Sequence, residues 1–142
     1  MIESAIVKIL RDSPEIVNLT ATQGIFPGKT PNGYFPAIAY QRISGSHEHD
    51  LQGAAGLANP TIQCNCWSTS YAEAKFLSEF VRAALQGFRG VVDGDGFADD
   101  IHGITLTDSR DLYVPPTKAE DVGVYGVSLD FSCWVVESIP TF

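Results

Sequence analysis

With 142 residues, 44% of them hydrophobic, the chain is long enough to bury one real core and too short for two ordinary domains. Seventeen acidic residues face nine basic ones, a formal charge of −8. The bases are scattered singly, which excludes a protein that holds nucleic acid by neutralising phosphates.

The chain opens with Ile2, Ala5, Ile6, Ile9 and Leu10 at helical spacing, so an amphipathic helix is expected first. Ser13 and Pro14 make an N-cap and first-turn pair for a short second helix carrying Ile16, Val17 and Leu19. Gly24, Pro27, Gly28, Pro31, Asn32, Gly33 and Pro36 then mark a turn-rich connection with a short strand at Ile25 and Phe26. Ala37 to Ser44 alternates as a strand, with Ile38, Tyr40 and Arg42 on one face. Gly45 to Asn59, GSHEHDLQGAAGLAN, has no period and reads as a long loop (45–59), a class usually functional or disordered. Thr61 to Trp67 is the returning strand of a hairpin tipped by that loop.

Ser70 and Glu73 have capping-box spacing and open one long helix, with Ala74, Leu77, Val81, Ala84 and Leu85 on its apolar face and Gly87 after its end. Gly90 to Asp100 reads as a turn region with Asp93-Gly94 and Asp95-Gly96 as turn dipeptides. Ile101 to Thr107 is a strand, and a second loop, Pro115 to Asp121 (115–121), follows. Gly123 to Val136 alternates strictly, with Tyr125, Val127, Leu129, Phe131, Cys133 and Val135 on one face. At ~3.3 Å per residue it would span roughly 45 Å, against a diameter of about 37 Å for a domain of this size. Such a strand must bend, for which Gly126 permits a bulge, or its end must pair with a neighbouring subunit, the sharper expectation. The segment order predicts a single α+β domain over 1–142. A mainly antiparallel sheet packs against one long helix, with one or two short N-terminal helices.

Candidate chemistry is thin. His47, Glu48, His49 and Asp50 crowd together like metal ligands, but zinc needs ligands from separated positions, and a solvated loop tip is the better reading. Asp93, Asp95, Asp99 and Asp100 fail the calcium-loop pattern, because Phe97 and Ala98 stand where an oxygen ligand and a glycine belong. Cys64, Cys66 and Cys133, an odd number, fit reduced thiols packing as small hydrophobes better than a soft-metal site. No GxSxG, P-loop, GxGxxG or HExxH occurs, and His102 beside Asp99 or Asp100 is a pairing that nearly any sequence offers. No catalytic residue, metal or cofactor is expected. Nothing resembles a signal peptide, and no apolar run approaches the ~20 residues that cross a bilayer, so a cytosol-like compartment and no membrane partner are expected.

The stretches SPEIVNL, IFPGKTP, FPAIAYQRISGS, QCNCWSTSYAEAKFLSEFVRAAL, TDSRDLY and VSLDFSCWV, in this order, resemble the tail completion (tail terminator, tail-to-head joining) proteins of long-tailed bacteriophages and prophages. The resemblance covers nearly the whole chain. It implies a structural virion protein and no enzyme: a homo-oligomeric ring, a hexamer, on the head-proximal end of the tail tube. There it would stop tube polymerisation and join tail to head, after assembly in the host cytoplasm. Its implied partners are itself, the major tail tube protein and the head connector or neck protein, with DNA passing through unbound. The two loops are the implied contacts, through His47, Glu48, His49, Leu51 and Leu57 in the first and Lys118 and Glu120 in the second. Another neck (head-closure) component and a small metal- or ligand-binding α+β domain stay open as alternatives.

Overall fold

The computed structural model describes residues 2–20, 24–28, 35–44, 47–50, 53–94, 97–115 and 123–136. Helix α1, Ile2–Arg11, turns Ala5, Ile6, Ile9 and Leu10 inward, as their spacing requires. Helix α2, Pro14–Thr20, begins where proline's missing N–H costs no hydrogen bond, and it buries Ile16. Helix α3, Tyr71–Leu85, buries Ala74, Leu77, Ser78, Val81 and Leu85. Its cap is a relay rather than a simple box. Ser70 Oγ accepts from the Glu73 N–H at 3.5 Å, while the Ser70 N–H donates to Ser68 Oγ, whose hydroxyl donates to the Glu73 carboxylate at 2.7 Å.

The strands are β1 (Ile25–Pro27), β2 (Ala37–Ser44), β3 (His47–Asp50), β4 (Gly53–Ala58), β5 (Thr61–Ser68), β6 (Gly90–Gly94), β7 (Phe97–Val114) and β8 (Val124–Val136). They form one eight-stranded sheet, antiparallel except where β1 runs alongside β2. The fold is α+β. Its helices lie on one face, with α3 against β8 and β5 and α1 against β6 and α3.

Much of the segment read as loop 45–59 is sheet. β3 and β4 pair as a hairpin, and both continue the strands before and after them. Ser44 lies opposite Thr61 and His47 opposite Ala58, with no change of offset. Across the other edge Ala58 and Leu57 face Val135 and Val136 in the register that sets Thr61 against Ser132. Register shifts flank this join, between Arg42 and Ser44 and between His47 and His49, so β2 with β5 and β3 with β4 lie end to end, with β5 and the end of β4 along β8. The β4 sequence, GAAGLA, offers no apolar–polar alternation from which a strand could be read.

β7 corrects two further expectations. It runs from Phe97 to Val114, not merely from Ile101 to Thr107. The turn region before it is a β6–β7 hairpin that sets Asp93 opposite Ala98 and Val92 opposite Asp99. Its register against β8 shifts between Ile101 and Gly103 and between Leu106 and Asp108. Such irregularities bend a strand and let it follow a globule shorter than itself.

β8 does not extend a free end to a neighbour. It is central, paired with β7 from Val124 to Val136 and with β5 and β4 from Tyr125 to Val136. Gly126 carries no bulge: the register runs unbroken through it, opposite Trp67 on one side and Leu112 on the other. Its missing side chain makes room for the Trp67 ring, since a Cβ there would stand 2.6 Å from ring carbons.

The core lies between the helices and the inward face of the sheet, where Ile38, Ile62, Val127, Leu129, Phe131 and Ile104 are at most 2% exposed. Each such side chain contributes about 1.5–3 kcal/mol by leaving water. Cys64, Cys66 and Cys133 belong to this layer as free, buried thiols.

Candidate functional site

Because β8 is fully flanked, unpaired backbone lies at the two outer margins. On one side β6 covers β7 only through Ile101, and the Gly87 N–H donates to the Ile104 carbonyl at 2.8 Å. From Leu106 to Val114, β7 has β8 on one side and no strand on the other among the described residues. On the opposite side β1 covers β2 only through Tyr40, whose carbonyl accepts the Gly28 N–H at 2.7 Å. Beyond it Gln41 to Ser44, and then β3, form the other margin. Such edges template the addition of another strand.

The face turned away from the helices carries a polar ladder across four strands. The Gln41 amide donates to Gln63 Oε1 at 2.8 Å, and the Gln63 amide to Asp130 Oδ1 at 3.2 Å. Arg110 reaches Asp130 Oδ2 at 3.2 Å and also holds Asp108. Asp130 is only 9% exposed, so its charge needs these donors. The ladder raises the Arg110 pKa, chiefly through the hydrogen bond to Asp130. Sequence analysis missed it. Gln63 and Asp130 were visible as polar residues between apolar ones, but only the register brings Gln41, Gln63, Asp130 and Asp108 together.

The end of β7 near α3 forms a second cluster. Lys75 Nζ meets Asp111 at 2.6 Å and lies 5.4 Å from the centre of the Tyr71 ring, while the Tyr71 hydroxyl donates to Asp111 at 2.9 Å. The Lys75 hydrogen bond, followed by that of Tyr71, holds the Asp111 pKa below its ordinary value. Tyr125 packs edge-to-face with Tyr71 and at a tilt with Tyr113, at 5.8 and 4.9 Å between ring centres. Tyr71, Tyr113 and Val114 stay 46–54% exposed, an apolar patch at the mouth of the β7–β8 hairpin.

Of the residues expected to make contacts, His47, Glu48 and His49 fall on β3, with His47 opposite Ala58 and His49 opposite Ala54. Leu57 falls on β4 opposite Val136. Leu51, Lys118 and Glu120 lie outside the described residues, as does nearly all of the second loop. The structure thus gathers four of the seven onto one hairpin at the distal end of the sheet.

The buried cysteines are poorly placed for reactivity. Burial pushes Cys64 up to about 12, reinforced by Cys133 and Asp130, and raises Cys66 well above its ordinary value. Burial likewise takes Cys133 to about 12, with a smaller push from Glu3. These thiols stay protonated, poor as nucleophiles and as ligands. His102 Nε2 lies 3.3 Å from Asp100 on an exposed stretch of β7. No group of three or more potential ligands is gathered among the described residues.

The fold is similar to that of a chain in the solved virion of a native gene transfer agent (GTA) particle. The TM-score is 0.65 at 18% identity, covering 94% of this chain and 92% of that one. Among curated proteins no significant match was found. The family model described as tail completion protein gp17 matches residues 4–136, all but the two ends of the sequence. An α+β chain whose conspicuous features are sheet margins and contact patches, matched along its length by that model, belongs to the tail completion protein gp17 family.

Proposed function

We propose that the chain closes into a ring, a hexamer, on the head-proximal end of a tail tube, where it ends tube growth and offers a surface to the head connector. Membership of the family gives it a structural role in completing a tail. The observation that carries the finer reading is the pair of open margins. β7 from Leu106 to Val114 and the β2–β3 edge stand on opposite sides of one sheet. Two different edges favour head-to-tail addition of identical copies, and such addition makes a ring when the rotation closes. The distal β3–β4 hairpin, with His47, Glu48, His49 and Leu57, projects from the sheet as an arm toward a neighbouring subunit. The net charge of −8 suits a channel through which DNA passes without sticking. On this reading the protein assembles in the host cytoplasm and ends in the virion, between tube and neck.

Polymerising the major tube protein with and without this chain tests the proposal. Capped tubes carrying a six-subunit ring at one end, and no further growth from that end, are expected. Tubes that elongate unchanged, with bare ends, would refute it. Binding to the head connector without capping would instead mark a head-closure component.

A further inference from the structure

Behind the sheet, between α1, the start of α2 and the C-terminal half of α3, lies a groove of about 350 Å³. Its floor is apolar, built from Ile9, Phe80, Ala84 and Phe88, and its rim carries Asp12 and Glu15. No lysine or arginine lines it. The Ser13 hydroxyl donates to the Glu15 carboxylate at 3.2 Å, steadying one side of the rim. Phe76, one helical turn before Phe80, is 63% exposed, so the apolar strip continues along α3 beyond the groove. An exposed phenylalanine beside an apolar recess with a charged rim is how a protein surface receives an anchor side chain.

We propose that this groove docks a segment of a second virion protein, one that inserts a large apolar side chain and sets lysine or arginine against Asp12 and Glu15. The inference rests on the ring reading above and names a partner for the face that the ring leaves free. Ring contacts use the margins of the sheet, whereas the groove belongs to the helical layer, so both can be occupied at once. Charge selects the class of partner. Another copy of this chain is a poor source of bases, with nine against seventeen acids. Moreover Arg42, Lys75, Arg82 and Arg110 already hold Glu3, Asp111, Glu79 and Asp130 of their own chain. Nucleic acid is repelled by the same rim. A basic, apolar protein segment satisfies both the floor and the rim.

Two variants test the groove without touching the sheet. Ala83→Arg places a bulky cation in its exposed wall, and the double variant Asp12→Lys/Glu15→Lys reverses its rim. The probes are two labelled peptides, one alternating leucine with arginine and one alternating leucine with glutamate, read by fluorescence anisotropy. The parent should bind the arginine peptide about tenfold or more tighter than the glutamate one, and each variant should lose that margin. Circular dichroism and subunit number by native mass spectrometry should be unchanged in both variants. Equal affinity of the parent for the two peptides would overturn the proposal, as would variants that bind like the parent. A parent that forms no ring would refute the ring reading alone, because the peptide comparison still decides the groove.

Discussion

Replacing Gly126 with alanine probes a close approach in the middle of the sheet. The new methyl would stand 2.6 Å from Cε3 and Cζ3 of Trp67. Carbon atoms rest at about 3.5–4.0 Å, so the indole must retreat by roughly 1 Å or swing off the sheet. Gly126 itself cannot give way, because it is fixed by pairing on both sides. Overpacking of this kind costs about 1–3 kcal/mol. Alanine would otherwise gain about 0.5–1 kcal/mol over glycine inside a strand, so even a small net loss reports the clash. Net of that gain the loss is up to about 2.5 kcal/mol, so at roughly 3 °C per kcal/mol for a chain of this size Tm should fall by up to about 7 °C. Urea unfolding followed by circular dichroism gives the free energy, and a Trp67→Ala partner closes the double-mutant cycle. With the indole gone the methyl has nothing to strike, so the two costs should fall well short of adding. A Gly126→Ala protein more stable than the parent, or strictly additive costs, would refute the reasoning.

Leu77→Ala, at a fully buried position of α3, should cost about 2–5 kcal/mol in urea unfolding through the cavity it leaves. Because the folded Asp111 pKa lies below its ordinary value of 3.8, its stabilising share is present above that pH and is lost as pH falls through the folded value. The Tm gap between parent and Asp111→Asn should therefore be open at neutral pH and close in acid. Cys64 and Cys133 stay protonated to about 12 in the fold against 9.0 ordinarily, so stability should decline as pH rises above 9.0, and thiol reagents at pH 8 should label the native protein only as fast as it opens. Deleting residues 48–56 removes most of the β3–β4 arm and leaves Leu57 and Ala58 to pair with β8, so far-UV circular dichroism should still show a folded domain while capping of tubes is lost.

The helices were legible because their apolar spacing is regular and their caps are written locally. Ser13-Pro14 and Ser70 with Glu73 both stand where chains enter helices. β8 was legible because it alternates without a break, but its place in the sheet was not, since nothing in a strand's own sequence says whether its margins are taken. β7 hid for a different reason. Each register shift inverts which parity faces inward. Ile101 points to the core before the first shift, Ile104 and Leu106 between the two, and Ser109, Asp111 and Tyr113 share the inner face after the second. Read without that phase change, TDSRDLY looks like a polar turn. The distal ribbon hid because GAAGLA offers no contrast between its two faces.

The pairs Ser44 with Thr61 and His47 with Ala58 share one offset, so the arm beyond them is adjustable in length in a restricted way. Inserting one residue at the Asn59-Pro60 junction would invert the facing of everything on one side of it. Adding matched residues to both arms near the turn would merely lengthen the arm, by ~3.3 Å for each opposed pair. A virus lineage could thus tune how far this arm reaches toward a differently sized neighbour without redesigning the buried layer. Relatives of this chain should then differ in arm length by even numbers of residues.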